Sequence, residues 1–295
     1  MIVIAENINA TSRSLGQAMR NRDAGPIRKM AETLAAGGAD GLDLNVGPAG
    51  KAGPELMRWL VRTVREVVRL PLVLDSPEED VLEAGLEAHG PSDPRPVINS
   101  IPAVPDRMAR LLPLARRHDA GFVAMPCGPD GVPRDEMERG VLAAELLDAA
   151  RREGIAPENV WLDPVVLPVS SRQAQLVSCT SFMAMLPDIA PDAMSICGLS
   201  NVSSGSPGSL RPLLNRVYLC MLRSNGLRGV ILDGLDGELL AIARDERHPM
   251  QKLVDRLMTG EAVDPSSLTA DEAGWLKTWK VLSNETVYAD SWLDL

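Results

Sequence analysis

The sequence of 295 residues is poor in the side chains that hold metals and disulfides. It has three histidines, none of them in an HExxH pattern, and this disfavours histidine-based metal chemistry. Its four cysteines stand far apart without a CxxC spacing, so we expect reduced thiols rather than a disulfide or zinc framework. The sequence therefore predicts that this chain binds no metal.

Long hydrophobic runs and basic clusters are also missing. Glu6 interrupts the apolar start MIVIA too early for a signal sequence, and no later run is long enough to span a membrane. A net charge of -10, without a Lys/Arg cluster among aromatic residues, argues against a nucleic-acid surface. We expect a cytoplasmic globular protein that binds neither nucleic acid nor membrane.

Short β-rich runs alternate with helical segments along the whole chain. They predict strands at residues 2–5, 41–45, 72–75, 96–100, 121–125, 160–163, 193–199 and 229–233. Eight such units favour a closed (β/α)8 TIM barrel over an open doubly wound sheet. No GxGxxG follows the first strand, which removes the main support for a dinucleotide fold. Without a Pro/Gly/Ser linker, we predict one α/β domain over residues 1–295.

Capping patterns indicate where several helices begin. Ser76-Pro77-Glu78-Glu79 places a cap, a first-turn proline and an acid in order. Thr269 and Glu272 form a capping box ahead of the run AGWLKTWKVL. The last βα unit is longer than one crossover needs, so we predict an irregular helical insertion at 238–274, with an extra helix near Met250–Met258.

Polar side chains follow nearly every predicted strand at its carboxyl end. They are Glu6, Asn9, Asp43, Asn45, Asp75, Asn99, Ser100, Asp163, Asn201 and Asp233. The carboxyl ends of the strands are where the active site of a TIM barrel forms. A single Asp or Asn after a strand can simply cap the next helix, but the whole set predicts a site.

The predicted ring holds acids and amides, and no basic residue stands at the strand ends. An anionic ligand core is therefore disfavoured. A carboxylate can accept two parallel hydrogen bonds from a guanidine-like N–H/NH2 edge, and an amide can satisfy mixed donors and acceptors. Buried carboxylates need such partners, because unpaired buried charges are costly. The set suits a neutral nitrogen-rich heterocycle such as a pterin.

Five stretches fall in order on the predicted strands. They are LDLNVGP (42–48), LDS (74–76), INS (98–100), WLDPVVLP (161–168) and GLSNVS (198–203). Together they resemble the methyltetrahydrofolate:corrinoid methyltransferases, whose C-terminal helix is similar to NETVYADSWL (284–293). That family shares a pterin-binding barrel with dihydropteroate synthase and with cobalamin-dependent methionine synthase. The resemblance implies methyl transfer between methyltetrahydrofolate, or tetrahydrofolate, and a corrinoid.

The resemblance assigns roles to four residues. Asp75, Asn99 and Asp163 match the family residues that hydrogen-bond the pterin, and Asn201 matches the asparagine that reaches N5, the atom bearing the methyl group. A neutral amide can donate or accept as charge shifts at N5, so Asn201 is the predicted catalytic residue. A purely structural turn, or a helix N-cap by Ser206, would also explain the run GLSNVSSGSP.

Further pterin-binding positions follow from the same resemblance. Asp43 and Asn45 match a pterin-pocket stretch, and Ser100, Gly198 and Ser204 complete the predicted set. Ser204 stands where relatives often carry a bulkier or amide side chain. Glycine and serine residues around Asn201 would let the backbone turn sharply over the ligand ring.

The resemblance also implies partners. In this family the cobalt of a corrinoid exchanges the methyl group, and this chain has no DxHxxG pattern with which to hold a corrinoid itself. A separate corrinoid protein, such as a corrinoid iron-sulfur protein, is therefore expected at the barrel mouth. Family resemblance also favours a homodimer. The direction of transfer stays open.

Two other functions compete with methyl transfer. Dihydropteroate synthase uses the same pocket, but its Ser/Thr-Arg-Pro stretch is replaced here by residues 47–49, Gly-Pro-Ala, and no late basic motif is present. A non-catalytic barrel subunit of a corrinoid protein would not need Asp75, Asn99, Asp163 and Asn201 together. The sequence favours the methyltransferase.

Overall fold

Parallel strands close into a barrel in the computed structural model, which describes residues 1–91 and 94–294. The strands are β1 (Ile2–Asn9), β2 (Gly41–Asn45), β3 (Leu72–Asp75), β4 (Val97–Pro102), β5 (Gly121–Met125), β6 (Val160–Leu162), β7 (Met194–Gly198) and β8 (Gly229–Leu232). Neighbours in the chain pair with each other, and β8 pairs with β1 to complete the circle. The predicted single-domain (β/α)8 barrel is confirmed.

Helices cover the outside of the barrel, because parallel strands need crossover connections. The helices are α1 (Arg13–Asn21), α2 (Ala24–Ala36), α3 (Gly53–Arg65), α4 (Glu79–His89), α5 (Pro105–Arg117), α6 (Glu136–Arg152), α7 (Val169–Ile189), α8 (Arg211–Ser224), α9 (Gly237–Arg244), α10 (Pro249–Met258) and α11 (Ala270–Leu282). Outward strand residues such as Leu42, Leu44 and Leu74 join the helices in one continuous buried core. Burial of this apolar surface is the main driving force for the fold.

A second apolar cluster, here called the inner apolar layer, fills the inside of the barrel. It consists of Ile4, Val73, Val97, Val123, Ile196 and Ile231, with Trp161 packed against it. Successive side chains on a strand point to opposite faces. Asp43 therefore points into the barrel, since Leu42 and Leu44 on either side of it point outwards.

The predicted helix cap at Ser76 is wrong, and the alternative cap at Ser206 does not form either. Helix α4 begins three residues after Ser76, whose hydroxyl instead accepts a hydrogen bond from the backbone N–H of Glu78 at 3.1 Å and closes a turn. Helix α8 begins only at Arg211, so Ser206 does not cap it. The hydroxyl of Ser206 instead pairs with that of Tyr288 at 2.8 Å, which ties the loop after β7 to the C-terminal segment.

The final βα unit is extended as predicted. Helix α10 lies where the extra helix was expected and packs against α8. The capping box at the start of α11 is confirmed, because Glu272 N–H donates to the Thr269 hydroxyl at 3.3 Å and Thr269 N–H donates to Glu272 at 2.9 Å. Within the described residues, none of the helices combines the length and hydrophobicity that a membrane span requires.

The C-terminal segment differs from the expected helix. Helix α11 ends at Leu282, and Asn284 adopts a left-handed backbone conformation with φ of 64°. Among the described residues beyond α11, the only helical element is a short 3-10 turn, Trp292–Asp294. The buried Trp292 indole donates to the Thr278 hydroxyl at 3.0 Å, and this bond holds the segment against α11. Side-chain anchoring therefore replaces the predicted helical continuation.

Candidate active site

A polar layer lies directly above the inner apolar layer at the carboxyl end of the barrel. Side chains two positions apart on a strand face the same way, and on five strands an inward apolar residue is followed by an inward polar one. The pairs are Ile4 and Glu6, Val73 and Asp75, Val97 and Asn99, Trp161 and Asp163, and Ile231 and Asp233. This alternation builds a polar mouth over an apolar base.

Strand β2 breaks this alternation. Asp43 pairs in register with Val73, so its carboxyl group lies at the depth of the inner apolar layer and is only 2% exposed. The Asn99 side-chain amide donates to it at 3.2 Å. Burial raises the pKa of Asp43 well above its usual range, and the nearby Asp75 and Glu6 raise it further. Asp43 therefore holds its proton more tightly than an ordinary aspartate.

Asp75 and Asn45 form the neighbouring pair. The Asn45 side-chain N–H donates to Asp75 at 2.6 Å, while its oxygen accepts from the Gly47 backbone N–H at 2.7 Å. The two bonds fix which end of the Asn45 amide faces the acid. Burial raises the pKa of Asp75, and the Asn45 hydrogen bond opposes that rise. Amides, rather than cations, thus compensate the acids of β2 and β3.

Asp163 stands on the other side of the mouth, directly after β6. One carboxyl oxygen accepts from the Val165 backbone N–H at 2.7 Å. Val165 has a φ of 62°, a left-handed conformation that costs a β-branched residue about 1–3 kcal/mol and that clusters at functional sites. Burial raises the pKa of Asp163 to about 6, although the Val165 N–H and the positive charge of Arg139 oppose the rise.

Asn201 lies in the turn that follows β7. A 3-10 turn, Leu199–Ser203, leaves the Asn201 side chain exposed at the mouth. A Cβ atom added to Gly198 would lie 3.2 Å from the Asn201 amide nitrogen, so the glycine gives that amide room. The Ser204 hydroxyl donates back to the Ser200 carbonyl at 3.4 Å. Ser204 thus stabilises its own turn.

Glu6 connects β1 to the same turn. Its carboxyl group accepts a hydrogen bond from the Ser200 hydroxyl, and Arg211 donates to Ser203 at 3.2 Å. Burial raises the pKa of Glu6, the Ser200 hydrogen bond opposes that rise, and Asp233 reinforces it. Glu6 and Arg211 therefore both hold the Asn201 turn through its serine hydroxyls.

The predicted residues are brought together to different degrees. Asn45 of β2 bonds Asp75 of the adjacent strand β3, and Asn99 of β4 reaches across β3 to Asp43 of β2. Ser100 instead contacts the Met125 sulfur at 3.6 Å. Asp163, Gly198 and Asn201 follow β6 and β7 at the same end of the barrel. The strand ends carry no basic residue, as expected.

Sequence reasoning missed two arginines that helices deliver to this region. Arg139 of α6 lies behind Asp163, and Arg211 of α8 interacts with Glu6. Neither residue belongs to a motif, and Arg139 stands in the charged run EMERG, which resembles a solvated helix face. Across residues 1–91 and 94–294, no group of three His, Cys, Asp or Glu side chains is arranged to hold a metal ion.

The carboxylates and amides of the mouth suit a nitrogen-rich planar ligand. Carboxylates can accept from an N–H/NH2 edge, and amides can pair with mixed donors and acceptors. Asp163 offers an acceptor at neutral pH, because its pKa is about 6. Asp43, in the same site, holds its proton more tightly than an ordinary aspartate, because burial raises its pKa.

Comparisons with known proteins identify the family of this chain. The family model for pterin-binding enzymes matches residues 5–233. The chain is 27% identical over 243 residues to the methylcorrinoid:tetrahydrofolate methyltransferase of Eubacterium limosum, a match that covers 81% of this chain and 88% of that protein. It is 28% identical over 243 residues to methionine synthase of Mycobacterium tuberculosis, covering 79% of this chain but 20% of that protein.

Solved structures show the same fold. The dihydropteroate synthase of Xanthomonas albilineans, in complex with 7,8-dihydropteroate, superposes with a TM-score of 0.61 and 17% identity, over 82% of this chain and 90% of that chain. At this identity the likeness concerns the barrel alone. The match of the family model to most of the sequence goes further, and the chain belongs to the pterin-binding enzyme family.

Proposed function

We propose that this protein is a methyltransferase that moves the N5 methyl group between methyltetrahydrofolate and the cobalt of a corrinoid held by a partner protein. One observation carries the proposal. Three side chains that can bind the polar atoms of a pterin, Asp75, Asn99 and Asp163, lie at the same barrel mouth as the exposed amide of Asn201. The similarity to the Eubacterium limosum methyltransferase over 81% of this chain supports the same reaction class.

In this proposal the acids and amides of the mouth bind the pterin ring. Asp163 accepts from the N–H/NH2 edge of the ring, and Asp75 and Asn99 bind its remaining polar atoms. Asp43, Asn45, Ser100, Gly198 and Ser204 line or shape the pocket. Asp43 acts through Asn99, because the Asn99 amide already donates to it at 3.2 Å.

Asn201 acts at N5. When the methyl–N5 bond breaks, its electron pair stays on nitrogen and a proton neutralises it, while the cobalt(I) electron pair forms the new methyl–cobalt bond. A neutral amide can follow this change by switching between donor and acceptor, which a carboxylate cannot do. The reverse transfer uses the same contacts. Gly198 leaves room for that movement, since a Cβ atom there would lie 3.2 Å from the Asn201 nitrogen.

The corrinoid is a substrate delivered by another protein. The chain contains no DxHxxG pattern, and its Asn201 side chain is exposed where such a partner would approach. We therefore propose a corrinoid protein as the partner, and a homodimer as the assembly on family resemblance. Sedimentation that shows a stable monomer at micromolar concentration would contradict the dimer and leave the pocket proposal intact.

The proposal is tested by binding and single-turnover transfer. Calorimetric titration of methyltetrahydrofolate, with a chelator present, should show binding without added metal, and free cob(I)alamin should then become methylated. A strict metal requirement for binding would contradict the proposed role of the carboxylates. Condensation of a dihydropterin pyrophosphate with p-aminobenzoate, in place of methyl transfer, would instead establish the synthase alternative.

A further inference from the structure

A fully buried arginine lies directly behind the Asp163 side of the mouth. Arg139 of α6 is 0% exposed. Its guanidinium donates to the Pro164 carbonyl at 2.9 Å, to the Ser178 hydroxyl at 2.5 Å and to the Gln175 side-chain oxygen at 2.7 Å. All three acceptors are neutral, so hydrogen bonds satisfy the guanidinium without cancelling its charge.

The charge of Arg139 needs compensation, because a buried cation is costly unless an anion lies near it. Among the described residues, no carboxylate reaches Arg139 within ion-pair distance. Asp163 is the acid whose titration the positive charge of Arg139 affects. The two residues therefore form a charge pair at longer range, with the acid at the mouth and the cation behind it.

The same arginine also holds the backbone on which Asp163 depends. It binds the carbonyl of Pro164, the residue directly after Asp163, and Asp163 in turn accepts from the N–H of Val165. Val165 occupies the left-handed region with a φ of 62°, a conformation that persists only when its surroundings enforce it. Arg139 is one of the groups that enforce it.

The other titratable groups around this pair stay neutral near pH 6. Cys127 at the end of β5 has a pKa raised by burial to about 11, and Cys179 of α7 has one raised by burial to about 12. Burial also raises the pKa values of Cys197 of β7 and Tyr218 of α8 well above their ordinary values. Arg139 and Asp163 thus carry the local charge.

We propose that Arg139 is a positioning residue, which fixes the turn after Asp163 and supplies the positive charge that keeps the Asp163 carboxylate ionised for pterin binding. This inference rests on the proposed function, since the pterin is the ligand that Asp163 would serve. A positioning role of this kind predicts that replacing Arg139 changes the pH dependence of pterin binding, which replacing an ordinary structural arginine would not do. Loss of the positive charge should make Asp163 harder to ionise, whereas loss of packing alone should not.

The test is the dissociation constant of methyltetrahydrofolate between pH 5 and pH 9 for the wild type, Arg139→Gln and Arg139→Lys. Wild-type affinity should fall as the pH drops through about 6, the pKa of Asp163. Arg139→Gln should move that transition upwards by about one pH unit or more and weaken binding about twofold to tenfold at pH 7. Arg139→Lys, which keeps the charge, should restore the transition towards its wild-type position.

Two controls complete the design. Arg223→Gln removes another partly buried arginine, one that donates to Gln251 at 2.8 Å and to the Ile242 carbonyl at 2.6 Å, and it should leave the transition in place. In an Asp163→Asn background the additional effect of Arg139→Gln on the pH profile should vanish. Arg139→Met, which preserves apolar volume, replaces Arg139→Gln if the latter fails to fold.

The outcomes separate the two proposals. Wild-type protein that does not bind methyltetrahydrofolate at any pH would contradict the proposed function itself. Wild-type binding with an Arg139→Gln or Arg139→Met profile that is weaker by the same factor at every pH would overturn the positioning role and leave the function standing. An upward shift that persists in Asp163→Asn protein would also overturn it, because another group would then be titrating.

Discussion

The buried carboxylates on the two sides of the barrel mouth are stabilised by different groups. On β2 and β3, Asp43 and Asp75 are compensated by the amides of Asn99 and Asn45. On β6, Asp163 is compensated by a backbone N–H and by the buried charge of Arg139. Amides stabilise a carboxylate through one hydrogen bond, whereas a full positive charge acts over a longer distance.

The difference affects how readily the acids on each side of the mouth ionise. Burial raises the pKa of Asp43 well above its usual range with an acid as its neighbour, while Asp163 reaches a value of only about 6 with a cation as its neighbour. At neutral pH Asp163 therefore presents an anion, whereas Asp43 holds its proton more tightly than an ordinary aspartate does. The acids on the two sides of one mouth thus differ in how readily they ionise, a difference that acid–base sites commonly use.

The largest expected effect is on the rate of methyl transfer and concerns Asn201, the residue proposed to act at N5. Asn201→Ala should slow single-turnover methyl transfer to cob(I)alamin by about 10²–10³-fold, because it removes a group that stabilises charge in the transition state. The dissociation constant of methyltetrahydrofolate should rise far less. Asn225→Ala, an asparagine at the end of α8 whose amide donates to the Met221 carbonyl, is the matched control. Weaker binding with wild-type transfer would refute the catalytic role of Asn201.

The next largest effect is on ligand affinity, and it tests whether the Asp163 side of the mouth binds the pterin edge. Asp163→Ala should weaken methyltetrahydrofolate binding about tenfold to a hundredfold, since loss of a charge-assisted hydrogen bond costs about 1.5–3 kcal/mol. Isothermal titration at pH 7.5 measures it. Asp264→Ala, which removes a surface acid that caps a 3-10 turn, serves as the control. An unchanged dissociation constant for Asp163→Ala would place the ligand edge on the β2–β3 side.

A third experiment tests proton retention on the β2–β3 side. The pKa of Asp43 in the folded protein lies above its ordinary value of 3.8, so folding stability is present at low pH and declines as the pH rises towards the folded pKa. Asp43→Asn removes that decline. Ligand-free Asp43→Asn should therefore have a larger free energy of unfolding than the wild type at pH 8.

The same variant should show little gain at pH 4, where Asp43 is protonated in the folded state. Urea unfolding at both pH values measures the difference. A gain of equal size at pH 4 would indicate a packing effect, and no gain at pH 8 would show that Asp43 ionises without penalty.

The smallest effect concerns the space around Asn201. A Cβ atom at residue 198 would lie 3.2 Å from the Asn201 amide nitrogen, so Gly198→Ala should displace that amide by a few tenths of an ångström. We expect single-turnover transfer to slow about twofold to tenfold, with nearly unchanged ligand affinity. Gly208→Ala, at a glycine with open space around its Cβ position, should have no effect. Equal rates in both variants would show that Gly198 is not a spacing residue.

The strand positions and most of the ring could be predicted because their signals are local. Period-two alternation on strands such as GLDLN and LVLD places polar side chains at carboxyl ends, and the barrel gathers those ends. The predicted starts of the helices were less reliable than the predicted strands. Ser76 and Ser206 have the residue type of a cap, but each hydroxyl found another partner in the folded chain.

Sequence by itself determined the barrel, the polar mouth and the family, since these follow from strand periodicity and from short motifs in order. Only tertiary structure decided how the acids differ. Asp43 and Asp75 look alike in LDLN and LVLD, yet strand register places Asp43 beside Val73 in the inner apolar layer. Arg139 lies 24 positions before Asp163 in the chain and reaches it only because α6 packs against α7. Burial and long-range charge depend on distances in space, which local sequence does not encode.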